Sequence, residues 1–162
     1  MFDRTLSLVG LQFAKFQFRS DFDRPQVLTN FFTGAKNILV VMPRGYDNAV
    51  LAGNALHKYR NELNQIHLTI IHTGTRETTL SSFLHSQIIR ITPDDINRFS
   101  IPTRGLMQRI FNREYDVAID LNLDFVLHSA YICRASRAKV RVGFQRSLLS
   151  ENFFNVRVEL GD

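Results

Sequence analysis

Cysteine occurs once in this chain, at Cys133. A single thiol gives no disulfide framework and no thiolate metal cluster, and a reducing cytoplasm is the simplest home for it. Long apolar runs are missing too. The longest, such as Ile38–Met42, reach five residues, against the ~20 that a membrane-crossing helix requires. Near the N-terminus, Arg4 and Lys15 stand among polar residues with no apolar h-region or small-residue cleavage site, so no signal peptide is expected. His57, His67, His72, His85 and His128 show no H-x-x-x-H spacing, and no G-x-S-x-G elbow is present. These absences leave metal-centred and nucleophilic chemistry without support, and no metal or cofactor is implied. The G-x-G-x-x-G and Walker A fingerprints are likewise missing. No RNA-recognition or helix-turn-helix pattern accompanies the basic residues, so specific nucleic-acid binding is not expected.

What remains is a chain of ordinary composition. Its 162 residues are 44% apolar and 22% charged, the range of one globular domain. A chain of this length buries roughly 70% of its unfolded surface and folds without staples. The net charge of +5 is local. Residues 125–150 hold Arg134, Arg137, Lys139, Arg141 and Arg146 with no acidic residue, and the rest of the chain is balanced. A local basic patch favours an anionic partner; the plainer reading is a solvated helix and strand edge.

The pattern changes near residue 37. Residues 1–36 hold seven of the 14 Phe and show no βαβ pattern. The alternation ending Leu11–Phe18 hints at a strand or extended arm. That arm either packs its Phe on the domain or binds a partner subunit, giving a homo-oligomer, or a membrane surface. Residues 37–162 then alternate strand-like and helix-like segments. Strands are predicted at Asn37–Met42, His67–His72, Gln87–Ile91, Asp116–Leu121, Lys139–Phe144 and Asn155–Glu159. Helical spacing begins near Val50 and recurs in Glu77–His85, Arg104–Arg113 and Phe125–Ser136. Such alternation implies an α/β fold, a Rossmann-like three-layer sandwich with a mostly parallel sheet.

In open α/β sheets ligands sit beyond the carboxyl ends of the strands. The loop after the first strand reads Pro43-Arg44-Gly45-Tyr46-Asp47-Asn48. Arg44 could pair with an anion. Asp47 could serve as a general base, or Asp47 or Asn48 could cap the following helix. His67 and His72 flank one strand on opposite faces, and His72 lies at its carboxyl end, in reach of a ligand. Asp120, Asn122 and Asp124 close the fourth strand. Lys139 and Arg141 alternate with Val140 and Val142, which puts both cations on one strand face.

Three segments together resemble the N-terminal half of the ADP-heptose–lipopolysaccharide heptosyltransferases, glycosyltransferase family nine. They are Ile38-Leu39-Val40-Val41 running through a loop to Val50-Leu51; Tyr115-Asp116-Val117-Ala118-Ile119-Asp120-Leu121-Asn122; and Ser129-Ala130 through Ala138-Lys139-Val140-Arg141-Val142-Gly143-Phe144. Order and spacing agree over roughly residues 37–160. The resemblance implies one half of a GT-B fold, the half that receives an anionic sugar–lipid acceptor, at the inner face of a membrane. The nucleotide-sugar donor would be held by a second domain or subunit. It implies inverting transfer with a carboxylate as base. Ungapped alignment places Asn48 where the family has its Asp, and Asn accepts no proton, so Asp47 is the remaining candidate. Arg44, Asn48, His72, Asn122, Lys139 and Arg141 are then candidate substrate contacts, the last two for acceptor phosphates or acidic sugars. The alternatives are a catalytically silent binding or scaffolding domain of the same fold, and a phosphate- or nucleotide-binding module using the Arg44 loop.

Overall fold

The computed structural model describes residues 2–21, 23, 34–63, 65–74, 86–144 and 151–159. Helix α1 covers Phe2–Gln17. There follow β1 (Asn37–Val41), α2 (Tyr46–Lys58), the short α3 (Arg60–Leu63), β2 (His67–His72) and β3 (Ser86–Arg90). A 3₁₀ turn at Pro93–Asp95 leads to α4 (Arg104–Ile110), β4 (Val117–Asp120), α5 (Leu127–Ala135), β5 (Val140–Phe144) and β6 (Val156–Val158). The helix expected over residues 77–85 lies outside the described residues.

All described strands run parallel in one sheet, in the order β3-β2-β1-β4-β5-β6. This is the doubly wound Rossmann order, and it reverses direction between β1 and β4. Strand alternation divides the core in two. Leu39, Val41, Ile71 and Ala118 face α1, α4 and α5, meeting Leu11, Ala14, Leu106, Ile110 and Ile132. Ile38, Val40, Leu68, Ile70, Val117 and Val140 face the other way, against Ala52 and Leu56 of α2 and Leu63 of α3. Helices on both faces explain why these strands read as unbroken apolar runs.

The extended arm expected near Leu11–Phe18 is a helix instead. Its true periodicity is Leu11, Ala14 and Phe18. Leu11 and Ala14 are buried, and Phe18 packs on Tyr131 and Phe153 with ring centroids 5.1 and 6.4 Å away. Phe13 and Phe16 point outward, so the alternation of Phe16 and Phe18 was an accident of composition. Gly10 permits the docking. A Cβ there would lie 1.9 Å from the Phe99 carbonyl oxygen, where no side chain fits.

Two polar clasps fix β1 against β4. At the amino end, the Asp116 carboxylate accepts hydrogen bonds from the backbone N–H groups of Lys36 (2.8 Å) and Asn37 (3.0 Å). Tyr115 is buried beside it. Its hydroxyl donates to the Ile110 carbonyl at 2.6 Å and makes a second hydrogen bond with the Thr69 hydroxyl at 3.1 Å. Burial pushes that phenol above its usual pKa. The second clasp, at the carboxyl end, builds the site.

Candidate functional site

The sheet order separates the loops after β1 and β4, opening a crevice at their carboxyl ends. Asn122, two residues past β4, spans it and is buried. Its Oδ1 accepts the Arg44 backbone N–H at 3.0 Å. Its Nδ2 donates to Asp120 Oδ1 (2.7 Å), approaches Ser129 Oγ (3.2 Å) and lies 3.5 Å from the Met42 carbonyl. The Asn122 backbone N–H also reaches Asp120 Oδ1, at 3.0 Å. One amide side chain thus ties together the loop after β1, the end of β4 and the first turn of α5.

The electrostatics follow from burial. The Asp120 carboxyl is 4% exposed. Desolvation drives its pKa up to about 7, and the hydrogen bonds from Asn122 offset only part of that. His128, 8% exposed in α5, is driven the other way, to about 4, by burial first and by the positive charge of Arg44 second. His128 is therefore neutral at pH 7.

Arg44 itself is exposed. Its backbone is pinned by Asn122, while its guanidinium is held by no hydrogen bond or ion pair among the described residues. Gly45, with φ −73° and ψ 135°, is the N-cap of α2. This corrects the expectation that Asp47 or Asn48 caps the helix. Both lie inside the first turn and are exposed, and no side chain caps the start. The Asp47 carboxylate instead sits favourably near the positive end of the helix dipole.

Beside this loop runs an apolar groove of about 510 Å³. Pro43, Asn48, Leu51 and Leu56 form one wall, and Leu121 and Phe144 the other. Leu51 is 67% exposed, so the groove opens to solvent.

The sequence-derived candidates separate into two groups. Arg44, Asp47, Asn48 and Asn122 share the carboxyl-edge cleft, and His72 is buried at the same edge, ending β2 beside β1. Lys139 and Arg141 lie at the opposite, amino edge. Lys139 precedes β5 and is exposed. Arg141 is 4% exposed, and its guanidinium is consumed internally by Asp23 and by the Phe153 and Ala138 carbonyls. Ser129 entered only as part of the third resembling segment and His128 only among the unpaired histidines; their proximity to the crevice comes from the β4–α5 turn. Among the described residues, no group of three His, Cys, Asp or Glu could hold a metal ion, and no helix is long and apolar enough to cross a membrane.

No curated protein and no solved structure matches the chain. One family model does match, over residues 11–162, a span that holds every described strand and the whole cleft. The chain therefore belongs to DUF6913, a family of unknown function.

Proposed function

We propose that this chain is a heptosyltransferase-like acceptor domain whose carboxyl-edge cleft receives the anionic sugar portion of a sugar–lipid acceptor. The observation that carries the reading is the Asn122 clasp. It fixes the backbone of the exposed Arg44 at the sheet's switch point. A guanidinium on a pinned backbone, with no internal partner among the described residues, can pair with a phosphate or carboxylate. The adjoining groove, bounded by Leu51, Leu56, Leu121 and Phe144, suits the apolar part of an amphiphile and would bring the chain to the inner face of a membrane.

In inverting transfer, the acceptor hydroxyl oxygen bonds to the sugar carbon as the nucleoside diphosphate leaves. The hydroxyl proton passes to a carboxylate. Asp47, exposed in the first turn of α2, is the carboxylate nearest in sequence to the aligned position. The nucleotide-sugar donor would come from a second domain or subunit facing this cleft.

A catalytically silent binding domain is the second reading. Asn48, at the aligned base position, favours it because an amide accepts no proton. So does the stripe of Val9, Phe13 and Phe16 on α1, each more than half exposed, which suits self-association.

The test is turnover of candidate nucleotide sugars with an anionic sugar–lipid acceptor, with and without a separately supplied donor domain. The transferase reading expects turnover only with the donor domain, abolished by Asp47→Ala. Acceptor binding without turnover in either arrangement would favour the silent reading.

A further inference from the structure

At the amino edge of the sheet, away from the proposed acceptor cleft, two arginines are buried side by side. Arg134 ends α5 at 6% exposure, and Arg141 in β5 is 4% exposed. Both converge on Asp23. Arg134 Nη1 donates to its Oδ1 at 3.0 Å, and Arg141 Nη2 reaches both carboxylate oxygens at 2.5 Å. Burial works to raise the Asp23 pKa, but the hydrogen bonds and charge of Arg141 and Arg134 outweigh it and hold the group below the usual carboxylate range.

One carboxylate does not satisfy this cluster. Arg141 is saturated by Asp23 and two carbonyls. Arg134 also donates to the Asp21 carbonyl, yet its Nε is buried with no hydrogen-bond partner among the described residues. A buried donor on a charged group left unpaired is costly, and such groups in native proteins call for an explanation. A third guanidinium, Arg137, borders the same polar hollow of about 450 Å³, together with Ser20 and Asp21. Arg137 is exposed, and its guanidinium makes no hydrogen bond or ion pair among the described residues. Among the described lining residues, three arginines stand against two aspartates.

Arg137 is also held at φ 56°, just after α5. Glycine is the usual residue at that left-handed position, because it carries no Cβ penalty. A large cationic side chain stands instead at the rim of the hollow.

We propose that this hollow is an anion site for a phosphate group, bound by the exposed Arg137 at its rim in the positive field of the buried Arg134 and Arg141. Phosphate fits because its oxygens accept a bidentate, charge-assisted pair of hydrogen bonds from the one fork left over, that of Arg137. Asp23 occupies part of the arginine surface and so competes with the ligand.

The test follows the melting temperature of the full chain while inorganic phosphate, or glycerol phosphate as a simple monoester, replaces sodium chloride at constant ionic strength. Phosphorus NMR titration gives the affinity. Wild type should gain several degrees in phosphate over chloride, and the stronger of the two phosphates names the source. Arg137→Gly, which relieves the left-handed backbone and should fold at least as well, should bind about tenfold more weakly, the loss of one charge-assisted contact. Asp23→Asn should melt lower in chloride and recover in phosphate by more than wild type does. Equal stabilisation by chloride, or unchanged affinity in Arg137→Gly, would overturn the proposal.

Discussion

Asn122 is the residue on which the cleft depends. Its amide serves Arg44, Asp120 and Ser129 at once, accepting the Arg44 N–H through Oδ1 and donating through Nδ2. Asn122→Ala leaves those groups buried without partners, so it should cost about 1–3 kcal/mol in urea unfolding. Asp120 and His128 give the cleft a pH signature. The folded pKa of Asp120, about 7, exceeds its ordinary value of 3.8, so the folded state holds the extra proton and this group erodes stability as pH rises from about 4 to 7. His128 is lowered from 6.5 to about 4, so the unfolded state holds the extra proton and its contribution to stability grows as pH rises from about 4 to 6.5. The two slopes oppose each other over nearly the same window. Asp120→Asn keeps an oxygen to accept from Asn122 but removes one slope. Its unfolding free energy should rise with pH between 4 and 6.5 more steeply than that of wild type, as chemical denaturation at stepped pH would measure. An unchanged pH profile would mean that Asp120 is not protonated in the folded state.

Among the elements, α1 offers the sharpest contrast. Gly10 faces the Phe99 carbonyl and Leu11 is 4% exposed, whereas Phe13 is 56% exposed. Gly10→Ala should force the helix off its seat and cost about 1–3 kcal/mol by overpacking. Phe13→Ser should change stability by less than about 0.5 kcal/mol. Denaturant midpoints of the two variants check this. The strands were legible in the sequence because burial on both faces leaves continuous runs such as Ile38–Val41. Helix α1 was not, because Phe16 and Phe18 imitate period two while the packing pair Leu11 and Ala14 is only one turn long. The start of α2 was misplaced by an acidic residue that looks like a cap; Gly45 takes the position through its extended backbone alone. The clasp was half legible. Asn122 could be placed at a strand end, but its bond to Arg44 joins residues 78 apart, and only the sheet order brings them together.

At the scale of the whole molecule, the basic segment dissolves into separate pieces. Arg134 and Arg141 are internal and share Asp23, while Arg137 and Lys139 remain exposed at the amino edge. Arg44, outside that segment, stands at the carboxyl edge, as does Arg90 at the end of β3. Net charge therefore pointed to an anionic partner without saying which end of the sheet would meet it. The fold supplies the rest: the Rossmann strand order makes a crevice between β1 and β4, and the clasp pins the Arg44 backbone beside it. The most direct measurement is calorimetric titration of an anionic sugar–lipid, dispersed in neutral detergent, into wild type and Arg44→Glu. Arg44 is exposed, so the variant should fold normally. Loss of binding by tenfold or more in Arg44→Glu, with Lys139→Glu unaffected, is the predicted result. Equal binding by wild type and Arg44→Glu would contradict an acceptor site at the carboxyl edge.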